Sequence, residues 1–429
     1  MTIHVIKEGD TINSLAQFYG VDPQRIMLDN EIKNPEDLVL GETLVILHPN
    51  IIHTVRDGDT LDNIALQYDI QVQQLLRNNP YLSERQYLYP GEQLVIDYVD
   101  EKVGSLAVNG YAYPFILPEM LKKTLPFLTY LSIYSYQVTR NGMIINIDDR
   151  ELIRMAKEYG VAPVLVLSGI GMTTEEEIDV THTVLRDPYR QEYFFDQLSI
   201  ILRQKGYYGV NINTPYILPE DRELYVRFII EFAKRMKAEG FVVFNTLSVS
   251  TFEVLTGIRY ENLRYDLLGQ VADYIMLISY EWGSAPGIPP GIYSYRSIIS
   301  FLEESFRMIP SEKTFTGLSC IGHVWELPYV AGKTTGKALS YNAAIEIARN
   351  NHARILYDEN TLAAYFQYVD KYEYIVRFRD ARSMDSLIKL SSDYGVYGIG
   401  IWNIMMFFPQ LWLVFNSQYD IKKVLPNFI

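Results

Sequence analysis

The sequence predicts an α/β protein: a (β/α)8 barrel with a small α/β insertion, preceded by two small βααβ modules. Three observations carry this expectation. The first hundred residues repeat themselves at an offset of 49 residues. Eight short β-rich apolar runs then alternate with amphipathic helical stretches, the pattern of a parallel sheet built from βα units. One interval, from Trp325 to Arg379, is too long for a simple connection between a strand and its helix.

The repeat is read residue by residue. His4-Val5-Ile6-Lys7-Glu8-Gly9-Asp10-Thr11-Ile12 returns as His53-Thr54-Val55-Arg56-Asp57-Gly58-Asp59-Thr60-Leu61. The offset holds through Leu15 and Ile64, Tyr19 and Tyr68, and Asn30 and Asn79, and slips by one at Gly41 and Gly91. Each copy opens with alternating residues that suit a strand, then turns at Gly-Asp-Thr, whose Asp or Thr can cap a following helix. Ile12, Leu15, Ala16 and Tyr19 recur at helical spacing, and Leu40 to Ile46 closes the unit as a turn and a second strand. The modules are expected at 2–49 and 51–98, joined through a short charged linker at 99–104 to a larger domain at 105–429.

In that domain the candidate strands are Leu106–Val108, Tyr130–Tyr134, Pro163–Leu167, Gly209–Asn213, Val242–Thr246, Tyr274–Ser279, Phe315–Ser319 and Gly398–Trp402. Eight strands point to a TIM barrel. Asp149 to Gly160 and Glu220 to Gly240 read as amphipathic helices that stop at glycine. The insertion, around 325–379, is expected to flank the barrel mouth. Functional residues of such a barrel stand at the C-terminal ends of its strands.

Composition narrows the partners. With 38 basic against 52 acidic residues the net charge is -14, which argues against nucleic acid or anionic lipid as the main partner. A single cysteine, Cys320, excludes an internal disulfide framework, and an inert buried thiol is the expectation for it. His182, His323 and His352 lack metal-ligand spacing, no phosphate-binding loop is present, and neither metal nor cofactor is expected. No segment is apolar for long enough to span a bilayer, and the N-terminal residues lack the features of a secretory signal. The 34 tyrosines suit ordinary packing and equally suit flat apolar faces for sugar rings.

Both copies of the repeat resemble the LysM module, through Gly-Asp-Thr, the asparagine in mid-module and the closing Gly-Glu/Gln-x-Leu. That resemblance implies binding of N-acetylglucosamine glycans such as peptidoglycan or chitin. Sugar contacts are then expected on the loops at Gly9, Asp10 and Thr11, at Gly58, Asp59 and Thr60, and around Asn30 and Asn79.

The larger domain resembles glycoside hydrolase family 18. The matching stretches are Gly206-Tyr207-Tyr208-Gly209 with Pro219-Glu220-Asp221-Arg222, then Tyr280-Glu281-Trp282-Gly283, Trp325-Glu326-Leu327-Pro328-Tyr329, Asp380-Ala381-Arg382-Ser383 and Gly398-Ile399-Gly400-Ile401-Trp402. Together with the paired modules, the pattern is most similar to the family's spore-associated branch, which cleaves cortex peptidoglycan fragments at N-acetylglucosamine. The resemblance implies a substrate-assisted reaction: a glutamic acid protonates the leaving oxygen while an aspartate two residues before it orients the substrate's own acetamido group. Strand alternation puts both side chains on one face.

Here those two positions are Pro215 and Asn213, and Asn211 and Tyr208 stand where the longer pattern has acids. Proline has no ionisable proton and asparagine cannot carry the stabilising charge, so no catalytic residue is expected at this motif. Ile321, Val324, Arg377 and Arg379 depart from the pattern too. Tyr280, Glu281, Trp282 and Trp402 remain as candidate glycan contacts, with Glu281 the fallback acid. Two functions follow. One is a peptidoglycan-binding protein of the spore envelope whose barrel has lost catalysis; the other is an active β-N-acetylglucosaminidase that degrades cortex fragments during germination. The resemblance also implies synthesis in the mother cell without a signal peptide, deposition at the coat and cortex boundary, and other coat proteins as neighbours.

Overall fold

The computed structural model describes residues 1–36, 38–85, 87–168, 175–213, 219–248, 252–254, 257–259, 264–278, 294–330 and 333–425. Each N-terminal repeat forms the expected βααβ unit. In the first, strands Thr2–Val5 and Thr43–Ile46 pair antiparallel around helices Ile12–Tyr19 and Pro23–Asp29. In the second, Pro49–Thr54 pairs with Gln93–Tyr98 around Leu61–Gln67 and Val72–Asn78. Thr11 and Thr60 cap the first helix of their modules, each accepting a hydrogen bond from the backbone N–H three residues on, at 3.0 and 3.2 Å.

The larger domain closes into a barrel of eight parallel strands. In order they are Gly104–Ala112, Tyr130–Val138, Ala162–Ser168, Gly209–Asn213, Val242–Ser248, Tyr274–Ile278, Thr314–Ser319 and Gly398–Trp402, hereafter the first to eighth strands. Each pairs with the next, and the first strand pairs with both the second and the eighth, which shuts the ring. The expected segments all lie within these strands, except that Ser279 falls outside the described residues. The first and second strands run several residues further than the sequence suggests, because their tails continue the alternation with tyrosines.

At its base the barrel is filled by aromatic rings. Tyr130, Phe244, Tyr274 and Phe315 stand 5.0 to 6.0 Å apart between ring centres, with Tyr397 4.6 Å from Tyr274. Burying rings of this size supplies much of the barrel's stability. Between the seventh strand and helix Ala381–Asp393 lies the insertion. It is a five-stranded antiparallel sheet, in the spatial order Lys337–Leu339, Gly322–Leu327, Glu373–Phe378, Ala363–Val369 and Leu356–Asp358, with helix Tyr341–Asn350 beside it.

The modules are packed onto the barrel. Val39, Val45 and Leu47 of the first module and Val95 and Tyr98 of the second join the apolar core formed by helix Pro409–Gln418 and its neighbours. Buried amides stitch the contact: Gln410 accepts from the Thr43 hydroxyl at 2.8 Å and donates to the Tyr341 hydroxyl at 2.7 Å, while Asn416 donates to Asn78 Oδ1 at 2.7 Å. The backbone N–H of Ile355 also donates to the Leu40 carbonyl at 2.8 Å.

Two equivalent glycines report on this docking. Gly41 and Gly91 both sit at positive φ, 86° and 89°, so alanine at either costs about 1–2 kcal/mol of backbone strain. A Cβ at Gly41 would also run into the Ile355 carbonyl, whereas one at Gly91 would meet nothing within 4 Å. Gly41→Ala is therefore expected to lower the unfolding free energy by at least about 1 kcal/mol more than Gly91→Ala. Urea unfolding of the two variants checks this, and equal losses would mean that the module is not seated on the insertion.

Candidate functional site

Strand alternation sends Tyr111, Tyr134 and Trp402 to the C-terminal mouth of the barrel. Trp402 is half-buried, with its ring 5.1 Å from Tyr134 at an interplanar angle of 78° and 5.7 Å from Tyr111. Tyr113, just past the first strand, meets the same indole edge-on at 6.1 Å and stacks on the exposed ring of Phe115 at 5.3 Å. The peptide bonds after Tyr134 and Trp402 are cis. An aromatic floor of this kind offers apolar faces to sugar rings. Of these residues only Trp402 was expected from the sequence. Tyr111 and Tyr113 could have been found by extending the period of two beyond Ala107, and Tyr134 by following it from Tyr130.

The three described motif positions lie at three levels along the fourth strand. Tyr208 lies at the base, 6.0 Å from Tyr130, and has no part in the mouth. Asn211 is fully buried midway up, donating to the Tyr111 hydroxyl at 3.0 Å and accepting from the Thr246 hydroxyl at 2.9 Å. Asn213 alone reaches the mouth among the described residues of the motif, where its amide donates to the Tyr134 hydroxyl at 3.3 Å. Pro215 lies outside the described residues, as do Tyr280, Glu281 and Trp282.

Among the described residues none of the eight strands ends on a carboxylate. Their last residues are Ala112, Val138, Ser168, Asn213, Ser248, Ile278, Ser319 and Trp402. Asn213 can donate to or accept from a bound acetamido group, but it supplies neither a proton nor a negative charge. Burial pushes the Cys320 thiol up to about 12, which leaves it protonated and unreactive at neutral pH. Among the described residues no group of three His, Cys, Asp or Glu side chains could hold a metal ion.

In the modules, the two asparagines prove to be structural. Asn30 donates to the carbonyls of Ile26 and Val45, at 3.0 and 2.9 Å, and accepts from the Val45 N–H at 2.8 Å. Asn79 repeats this with Leu75 and Val95, at 2.9, 2.7 and 2.9 Å. Both are buried and pin the second helix to the second strand, so their side-chain amides are engaged within the module. Gly9 and Gly58 turn the loop at φ 86°, and Thr11 and Thr60 are engaged as caps.

Asp10 and Asp59 are engaged as well, by His4 Nε2 at 2.9 Å and His53 Nε2 at 2.8 Å and by the backbone N–H groups of Lys7 and Arg56, each at 2.7 Å. The hydrogen bond from His53 holds the Asp59 carboxyl below the usual range; at Asp10 partial burial opposes the same bond and is outweighed by it together with the Lys7 N–H. A carboxylate lowered in the folded state contributes stability that is complete above its unfolded pKa of about 4 and is lost as pH falls through the folded value. The melting temperature is therefore expected to fall more steeply below about pH 4 in the native chain than in an Asp10→Asn/Asp59→Asn double variant. Parallel slopes in calorimetry would refute the linkage.

Comparison with known proteins places this geometry. Residues 4–47 and 53–97 match the LysM domain, and residues 127–406 match the model for glycosyl hydrolases family 18. The chain belongs to glycosyl hydrolases family 18. Its similarity to other members runs end to end. It is 31% identical over 435 residues, 99% of both chains, to the cortical fragment-lytic enzyme of Bacillus subtilis (strain 168). Among solved structures it is similar to the spore cortex-lytic enzyme SleL of Bacillus megaterium QM B1551, at 26% identity and a TM-score of 0.80 over 99% of both chains. The Bacillus cereus spore cortex-lytic enzyme SleL gives 28% and 0.79 over 98% of both. With these end-to-end relatives the chain shares one architecture along nearly its whole length. Among the described residues no helix is long and apolar enough to cross a membrane.

Proposed function

We propose that this family 18 protein binds the N-acetylglucosamine glycan of spore peptidoglycan, through its LysM domains and its barrel mouth, and that the barrel holds the glycan without cleaving it. The observation that carries the reading is Asn213 at the end of the fourth strand, two residues before Pro215. The substrate-assisted reaction needs a carboxylate at the first position and a carboxylic acid at the second. Removing a general acid alone costs about 10²–10⁴-fold in rate. The aromatic floor around Trp402 needs neither group to bind a sugar ring. In this reading the protein resides at the coat and cortex boundary of the spore, among coat proteins.

A second reading is an active β-N-acetylglucosaminidase that acts on cortex fragments, with Glu281 as the acid. The end-to-end likeness to proteins named as cortical fragment-lytic and cortex-lytic enzymes favours this reading over the first. The residue chemistry at 213 and 215 favours the first. Sedimentation with purified cortex peptidoglycan, followed by analysis of the soluble products, separates the two. Co-sedimentation with no new products supports the binding protein. Products that vanish in Glu281→Gln support the enzyme, and failure to co-sediment removes both.

A further inference from the structure

An open groove lies away from the strand ends, at the junction of both LysM domains with the barrel's outer wall. It encloses about 900 Å³, within the range of small-ligand sites. One side is the last turn of the first domain's second helix, with Met27 and Leu28, and the segment after it; Tyr81 of the second domain also lines the groove. The other side belongs to the barrel and its insertion, through Asn342 and Glu346 on helix Tyr341–Asn350 and Met406 on the loop after the eighth strand.

Aromatic and ionic contacts hold these walls together. Tyr341 stacks on Phe408 at 4.6 Å and Phe127 on Trp412 at 5.0 Å, and Lys123, ion-paired with Glu31 of the first domain, lies 4.7 Å above the Phe407 ring. Their surface chemistry is mixed. Leu28 and Met406 are exposed apolar groups, Asn342 is an exposed amide that donates and accepts, and Glu346 is an exposed carboxylate that accepts. Carboxylates and cations are in near balance along the lining, so the groove does not select a strongly charged ligand. A sugar chain, with apolar ring faces and a rim of hydroxyl and acetamido groups, matches such a lining.

Connectivity adds a second argument. Trp402 at the barrel mouth and Met406 at the groove are four residues apart on one loop, so their Cα atoms are at most about 14 Å apart. The separation of the two places is therefore within the length of a short oligosaccharide.

Building on the reading that the chain binds N-acetylglucosamine glycans, we propose that this junction groove is a glycan subsite shared by the first LysM domain and the barrel, through which the strand passes to the barrel mouth. The first domain then binds its glycan only as part of the whole molecule.

The test uses the full chain and the N-acetylglucosamine hexamer. Binding is followed by calorimetry, and methionine oxidation by dilute peroxide is mapped with and without the hexamer. Saturating hexamer is expected to suppress oxidation at Met406 and Met27, and Asn342→Trp, which fills the groove from an exposed helix position, is expected to weaken the affinity roughly tenfold. Hexamer that binds by calorimetry yet leaves both methionines as reactive as before overturns the subsite and leaves the glycan-binding reading standing. Hexamer that does not bind at all overturns both. The methionine readout needs no variant and so does not depend on how Asn342→Trp folds.

Discussion

Arg25→Ala is expected to lower the unfolding free energy by about 3–5 kcal/mol, the usual cost of leaving one member of a buried ion pair without its partner. Arg25 belongs to the first LysM domain but is buried against the second. It is ion-paired with Asp29 and donates to Asn79 Oδ1 at 3.1 Å, to the Asn78 carbonyl at 2.5 Å and to the Tyr98 hydroxyl at 2.7 Å. Burial works against the guanidinium charge, and Asp29 beside it more than compensates, so Arg25 is held charged. Alanine would leave the Asp29 carboxylate buried without its ion-pair partner and the Asn78 carbonyl with only the Tyr98 hydroxyl as donor, at 3.3 Å. Because the same residue ties the two domains together, the loss should appear in both. Arg25→Met with Asp29→Leu removes both charges and should recover most of the stability. Urea unfolding checks the pair. A loss under about 1 kcal/mol for the single variant would show that the domains are not joined through this residue.

Trp402→Ala is expected to weaken the barrel step of a hexamer titration by about 30-fold, equivalent to about 2 kcal/mol for a central aromatic contact. Trp402 is the ring on which Tyr111, Tyr113 and Tyr134 converge. Trp402→Phe keeps a flat apolar face and should restore much of the affinity. Retention of insoluble peptidoglycan should fall less, since the LysM domains still engage it and multivalency compensates. Unchanged hexamer affinity in Trp402→Ala, with a lowered melting temperature, would reduce this ring to packing.

The sequence made the architecture legible because its signals are local. An offset of 49 residues, strand alternation and glycine stops are properties of neighbouring residues, and the domain match and the closed barrel agree with them. The site was legible only in part. Asn30 and Asn79 recur at equivalent places, and recurrence marks a shared constraint without saying whether it is ligand or fold. Their hydrogen bonds to Val45 and Val95, fifteen and sixteen residues away, show that it is fold. Likewise, Tyr208, Asn211 and Asn213 look alike as substitutions in one motif, but a strand that rises about 3.3 Å per residue spreads them from the base of the barrel to its mouth. The junction groove draws on residues from both LysM domains, the barrel and its insertion, a combination no local pattern could announce.

The central claim is that the barrel binds glycan but does not cleave it, and release of new reducing ends from cortex fragments at high protein concentration tests it most directly. The account predicts a rate for the native chain equal to the buffer blank, and at most weak activity after Asn213→Asp with Pro215→Glu restores the acid pair. Turnover by the native chain above the blank, abolished by Glu281→Gln, would contradict it.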